Sequence, residues 1–188
     1  MRYLHFLLFC LFVVGTSSAY SAQNVGGISI NYSQAFASDP VKANQLVSQY
    51  SEAIRQALVS LDIYMAPPIN GLEEVRLVKT QYKLEVSPSI DGAALGLSKS
   101  ITTLQGVKNF HDEVVPLSVS GLEARRISID ADRWGGKLGG EFLIIYDRKL
   151  NIMWQVQLLF TQNKYSPVSF DKERQYTRKL LSSVRVIP

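Results

Sequence analysis

Four consecutive strand candidates between residues 110 and 161 are the feature that most restricts how this chain can fold. Each combines apolar or alternating residues with a short connection to the next. The four candidates are residues 110–119, 122–131, 140–147 and 152–161. Pro116 lies inside the first, which suggests an edge position or a bulge for that strand. Residues 132–140 contain four glycines and are predicted to form a hairpin loop.

The segments before and after this run supply helices and further strands. Apolar residues spaced three and four apart predict amphipathic helices, whereas strict alternation predicts strands. The spacing predicts strands at 27–32 and 72–86, helices at 40–61, 89–105 and 172–182, and a loop at 62–71. Asp39, followed by Pro40, and Asp171 are the expected helix N-caps. Residues 184–187 either add a short strand or close the last helix onto the sheet.

The order of these segments defines a fold class. Strict alternation of strands and helices is absent, which argues against a doubly wound parallel sheet. Helices that stand apart from a run of hairpins are typical of an α+β fold. Since 46% of residues are hydrophobic and only 19% are charged, the chain can bury a core. We predict one α+β domain over residues 20–188, with an antiparallel sheet and amphipathic helices packed on one face.

The first 19 residues have the pattern of a secretory signal peptide. Arg2 precedes a 12-residue apolar stretch, and small residues follow, ending with Ala19. That stretch is shorter than the roughly 20 residues needed to span a membrane core. We predict cleavage after Ala19, with Ser21 or Ala22 as other positions and an uncleaved anchor as the alternative. The protein would then be exported, periplasmic if its source is a Gram-negative bacterium and otherwise secreted.

The residues expected after cleavage exclude several chemistries. The single cysteine, Cys10, leaves with the signal, so no thiol nucleophile, thiolate site or disulfide remains. His111 is then the one remaining histidine, and a metal would need ligands from elsewhere besides Glu113. Asp130 and Asp132 could share a face, but hairpin ends are usually solvated, which disfavours acid–base catalysis. We predict no catalytic residue, no metal and no cofactor.

Positive charge is concentrated at the end of the chain. Residues 164–188 carry six basic side chains and two acidic ones, whereas the rest of the expected processed chain is nearly neutral. Lys172, Arg178 and Lys179 form a candidate basic patch for an acidic partner or for lipid headgroups. The alternative is a solvated helix face whose cations lie near the helix C-terminus, where they suit the helix dipole.

The hairpin loop contains the most distinctive local motif. Trp134 lies between Arg133 and Lys137 in a glycine-rich turn. Tryptophan and arginine are among the residues most enriched in binding hot spots, so we predict that these three residues contact a partner. The alternative is that Trp134 folds back over the end of the sheet. Trp154, in an apolar strand, is expected in the core.

The second half of the chain resembles a known family. The features that carry the likeness are the segment 106–110 after the second helix, the strand ending at 119–126, Trp154-Gln155-Val156, and the helix ending at 182–186. Over about residues 90–187 this pattern resembles the PsbP-like and DcrB-like α/β sandwich family of small exported proteins. The resemblance implies an antiparallel sheet flanked by helices and an accessory or binding role without shared catalytic residues.

Together these patterns predict an exported, non-enzymatic protein that acts through contacts with another envelope or exported protein. An immunity protein against a secreted toxin is one form of that role. One alternative is a module that binds a small apolar ligand or lipid between sheet and helices. Another is a hydrolase that uses His111. Peripheral membrane contact stays open, whereas the small basic excess and the predicted export disfavour nucleic acid.

Overall fold

A seven-stranded antiparallel sheet forms the centre of the protein, in a computed structural model that describes residues 22–163 and 169–187. The predicted signal peptide lies outside these described residues. The elements in chain order are β1 Gln23–Val25, β2 Ile28–Ile30, β3 Ala37–Ser38, α1 Pro40–Gln49, α2 Glu52–Ala57, β4 Leu58–Ala66, β5 Leu72–Tyr82, α3 Ile90–Thr102, β6 Val107–Val119, β7 Leu122–Arg133, β8 Gly136–Asp147, β9 Ile152–Gln162, α4 Phe170–Ser182 and β10 Arg185–Val186. The large sheet has the order β3-β4-β5-β9-β8-β7-β6, and β1, β2 and β10 form a separate small sheet. The α+β class is confirmed.

The meander predicted for residues 110–161 is present as strands β6 to β9. Strand β6 is at an edge of the sheet, so the edge position that Pro116 suggested is confirmed. The hairpin predicted at 132–140 is present, but its loop is shorter than predicted, because β7 and β8 meet at a turn of only two residues, Trp134 and Gly135. Gly139 and Gly140 belong to β8, where the rings of Phe160 and Phe142 occupy the space that side chains would need.

The helix predicted over 40–61 is also wrong in its second half. Helix α1 ends at Gln49, and Ser51 caps a separate short helix, α2, by accepting a hydrogen bond from the amide of Ile54. Asp39 caps α1 as predicted. Residues 58–66, expected as a helix end and a loop, form β4, which pairs with β5 along its length. Long-range strand pairing thus overrides the local helical spacing.

Helices cover both faces of the large sheet rather than the one face that was predicted. The reason is that the central strands are apolar on both sides: Ile144 and Ile145 are neighbours in β8 and both are fully buried. Helix α3 packs on one face, next to α1, and α4 packs with the small sheet on the other. Each large apolar side chain buried in these layers contributes about 1.5–3 kcal/mol.

Helix α4 is tied to the start of β5 through a buried carboxylate. The helix is capped by Ser169 and not by the predicted Asp171. Glu173 in its first turn is 3% exposed, and its Oε1 accepts a hydrogen bond of 3.0 Å from the amide of Gly71. A Cβ on Gly71 would lie 2.8 Å from that oxygen, so any other residue there would displace the carboxylate. Burial raises the pKa of Glu173 above its usual range.

Replacement of Glu173 by glutamine should therefore change how stability depends on pH. The pKa of Glu173 is higher in the native state than in the unfolded state. The free energy of unfolding therefore falls as pH rises from the unfolded pKa to the native one. We expect E173Q to resist urea better than wild type at pH 8, with the difference vanishing as pH falls to about 4, near the unfolded value. Urea unfolding at a series of pH values measures this, with E85Q, an exposed site, as the control. Parallel pH curves for E173Q and wild type would contradict it.

Candidate binding surface at the β7–β8 turn

The turn between β7 and β8 presents a tryptophan to solvent. Trp134 is 70% exposed, so the alternative in which it folds back over the sheet is wrong. Its φ is +50° and that of Gly135 is +78°, the two positive angles of a type I′ hairpin turn. Since Arg133 pairs directly with Gly136 across the turn, the strand register sets where the indole emerges.

Arg133 holds the indole ring from one side. Its guanidinium carbon lies 3.9 Å from the ring centroid of Trp134, a cation–π contact worth about 0.5–1 kcal/mol at an exposed site. The guanidinium is itself fixed, because Nε donates to the carbonyl of Gln105 at 3.3 Å and Nη1 lies 3.8 Å from Oε2 of Glu73. Arg133 therefore positions the aromatic ring and does not present a free cation.

Gly106 supports the ring from the α3–β6 connection. Its φ is +83°, a conformation that favours glycine. Any Cβ at this position would collide with the indole nitrogen of Trp134. The glycine thus allows the backbone to approach the ring closely, so the orientation of Trp134 depends on contacts from three separate parts of the chain.

Lys137, the third predicted contact residue, is engaged in an ion pair. Its Nζ lies 2.6 Å from Oδ1 of Asp132, and Oδ2 of Asp132 accepts a 2.7 Å hydrogen bond from Asn109. These hydrogen bonds, with the one from Lys137 foremost, lower the pKa of Asp132, and the same contact raises the pKa of Lys137. The result is an exposed aromatic flanked by two matched ion pairs.

His111 and the two aspartates considered separately in the sequence line one shallow pocket of about 530 Å³. His111 lies opposite Asp130 in the β6–β7 register, and Asp132 is near Lys137 in the same pocket. Asp130 accepts a 2.6 Å hydrogen bond from Arg174. Each carboxylate is therefore already paired with a cation, Asp130 with Arg174 and Asp132 with Lys137. Within residues 22–163 and 169–187, no three His, Cys, Asp or Glu side chains are grouped to hold a metal.

The three residues of the candidate basic patch do not share one environment. Lys172 and Lys179 are on the exposed side of α4, whereas Nε of Arg178 lies 3.0 Å from Oε1 of Glu141. Glu141 is fully buried, and its Oε2 accepts a 2.7 Å hydrogen bond from Ser128. Arg178 thus matches an internal charge and fastens α4 to the sheet. A carboxylate within the apolar run of β8 was the sequence signal for such a partner.

Sequence reasoning missed a polar cluster on the face that carries α1 and α3. Arg76 of β5 and Gln155 and Gln157 of β9 line a cleft between these helices. The two glutamines alternate with large apolar residues in one of the most hydrophobic strands of the chain. That interruption was visible in the sequence, but only the pairing of β5 with β9 brings Arg76 to it.

No protein-family model and no curated protein matches this chain. A solved structure similar to it is that of a protein of unknown function, PA94, from Pseudomonas aeruginosa. The two are 18% identical with a TM-score of 0.42, over 69% of this chain and 83% of the other. The PsbP-like and DcrB-like resemblance stays a prediction. None of the helices in the described ranges is long and apolar enough to cross a membrane.

Loss of the Arg178 side chain should destabilise the fold, because it leaves the buried Glu141 carboxylate without its closest cation. Removal of one partner of a buried ion pair costs about 3–5 kcal/mol. We expect R178M to lower the free energy of unfolding by less, about 2–3 kcal/mol, because Nε of Arg174 stays 3.9 Å from the same oxygen of Glu141. The matched control is K179M on the same helix, for which we expect a change within about 0.5 kcal/mol. Urea denaturation measures both. Equal effects of the two substitutions would place Arg178 on an ordinary solvated helix face.

Removal of the Arg133 side chain should leave the indole of Trp134 free to move. In protein labelled with 5-fluorotryptophan, ¹⁹F NMR resolves Trp134 and the buried Trp154, and the W134F variant assigns the two signals. We expect R133A to move the Trp134 signal toward that of free fluorotryptophan and to narrow it, while the Trp154 signal stays in place. R148A, which removes an exposed arginine at the other end of β8, is the control. An unmoved Trp134 signal in R133A would show that the stack does not hold the ring.

Proposed function

We propose that this chain is an exported, non-enzymatic protein that binds another protein of the cell envelope through the Trp134 surface. This surface consists of Trp134, Arg133, Gln105 and Gly106, with the Lys137–Asp132 pair beside it. The observation that carries the proposal is a tryptophan that is 70% exposed and yet held in place by a stacked arginine and a close backbone.

A fixed, exposed indole favours protein binding for energetic reasons. A tryptophan buries about 150–250 Å² in a contact, which at roughly 25 cal/mol per Å² contributes on the order of 4 kcal/mol. Binding normally costs about 0.5–1.5 kcal/mol for each flexible side chain that becomes ordered. Arg133 and Gly106 already hold the Trp134 side chain in place, so binding of a partner loses little further side-chain entropy there.

The charges around the indole indicate the chemistry of the partner. Arg133 is paired with Glu73, and Lys137 with Asp132, so neither cation is free to attract an anionic surface. A strongly charged partner would have to disrupt these pairs. The surface therefore suits a protein with an apolar pocket for the indole and an uncharged polar rim, rather than nucleic acid or lipid headgroups.

Two other parts of the proposal, export and a non-enzymatic role, are supported by observations away from the Trp134 surface. The apolar stretch within residues 1–19 and its small-residue end support export. The two carboxylates beside His111 are both paired with cations, which supports a binding role over hydrolysis. The resemblance to the PsbP-like and DcrB-like family implies the same class of role. Mass spectrometry of the protein isolated from the envelope tests export through cleavage after Ala19.

Site-specific photocrosslinking identifies the partner and the surface together. With benzoylphenylalanine at position 134, we expect one dominant crosslinked protein in intact cells. The matched control places the same group at Leu150, which is 57% exposed in the turn at the opposite end of β8. The same product from both positions, or none from position 134, would overturn the proposal.

The affinity of that partner gives the quantitative test. Truncation of a central aromatic anchor typically costs at least 2 kcal/mol, about a 30-fold loss of affinity. We expect W134A to weaken binding by at least that factor, and L150A to change it less than twofold, in titration calorimetry with purified proteins. Unchanged binding by W134A would remove this surface from the contact.

A further inference from the structure

A second site is present in the cleft between the helices on the other side of the molecule. Strands β5 and β9 form its floor, α1 and α2 form one wall, and α3 forms the other. Its volume is about 350 Å³, within the range of small-molecule sites. The Trp134 surface is not part of it, so the two sites can be tested separately.

The floor of the cleft carries an ordered set of polar groups where an apolar sheet face would be expected. Nε of Arg76 donates to Oε1 of Gln157 at 3.0 Å, and Nε2 of Gln157 donates to Oε1 of Gln155 at 3.2 Å. Gln157 is 4% exposed. Burial of polar groups is costly unless they are hydrogen-bonded, and apolar residues would cover the sheet more cheaply. The hydrogen bonds offset that cost here, and the same polar groups line the cleft, where a ligand can contact them.

Donors remain available within this cluster. Glu74 and Gln157 engage Nε and Nη2 of Arg76, and in the described part of the chain Nη1 has no hydrogen-bond partner. Tyr50 and Tyr82 also line the cleft, and neither hydroxyl donates to a described residue. Burial raises the pKa of Tyr82 to about 12 and also raises that of Tyr50, so both hydroxyls are protonated donors at neutral pH. The charge of Arg76 is shared with Glu74 at 3.2 Å, so what the cluster offers is three hydrogen-bond donors, Nη1 and the two hydroxyls. Three donors suit the oxygens of a carboxylate.

The walls supply apolar surface and open space. Leu46, Ile54 and Leu97 line the cleft, and Ile54 is 44% exposed. Gly96 lies in the interior of α3, where glycine costs about 1 kcal/mol relative to alanine. No atom lies within 4 Å of where its Cβ would be, so packing does not explain the glycine. Gly96 is exposed and lines the cleft, so a longer side chain at this position would extend into it.

We propose that this cleft binds a small carboxylate-bearing amphiphile of the medium-chain fatty-acid type. The carboxylate would be held by Nη1 of Arg76 and the tyrosine hydroxyls, and the chain would lie along Leu46, Ile54 and Leu97. The polar floor selects the head group, and the apolar walls select the tail.

The test compares two probes with the same tail. Titration calorimetry uses dodecanoate below its micelle-forming concentration, and dodecanol as the uncharged counterpart. We expect wild type to bind dodecanoate at least tenfold more tightly than dodecanol. Equal affinities would overturn the role of Arg76 in selecting a carboxylate, and no binding of either probe at millimolar concentration would overturn the site itself.

Two substitutions separate the walls from the floor. G96L fills the cleft without changing the polar groups, and we expect at least a tenfold loss of dodecanoate affinity with stability equal to or above that of wild type. L95A, next in sequence but exposed on α3, is the matched control and should bind as wild type does. R76M should reduce dodecanoate binding to the level of dodecanol. Unchanged affinity in folded G96L would place any observed binding outside the cleft.

Discussion

The pairing of β5 with β9 is the interaction on which both proposed sites depend. It joins the N-terminal strands to the meander and makes one sheet of seven strands. Its register sets Arg76 opposite Gln157 and Val78 opposite Gln155, which builds the floor of the cleft. An irregularity at the start of β5 lies at Glu73, whose Oε1 accepts a 2.6 Å hydrogen bond from Thr161 of β9. The same carboxylate reaches Arg133, so this pairing also steadies the stack on Trp134.

The parts of the fold that could be predicted from sequence are those whose signal is local. The four meander strands, β5, α3 and α4 each carry their own periodicity, and Asp39 before Pro40 marks the start of α1. Strand β4 could not be predicted this way, because residues 58–61 continue the helical spacing of the preceding segment. What makes them a strand is pairing with β5, which begins 14 residues after β4 does. Local spacing contains no information about such a partner.

At the candidate site, too, local features could be predicted from the sequence and long-range contacts could not. Composition identified Trp134 as the tip of a hairpin, since a large aromatic in a glycine-rich turn is unusual. Its exposure could not be predicted, because it is decided by Gly106 beneath the ring and by the bond from Arg133 to Gln105, 28 residues away. Arg178 is the converse case. Charge counting placed it on a basic surface, whereas the buried Glu141 turns it inward.

Helix α3 is the element common to both proposed sites, and the way it is anchored keeps them independent. Gly96 lines the cleft, and the connection after the helix supplies Gln105 and Gly106 to the Trp134 surface. From Gly96 to the end of α3 is about 9 Å of helical rise. Besides Leu97, which lines the cleft, three buried apolar residues of the helix, Ile90, Ala94 and Ile101, pack against β7 and β8. A close-packed interface of this kind resists small shifts of the helix. A ligand in the cleft should therefore leave the affinity of the Trp134 surface for its partner unchanged.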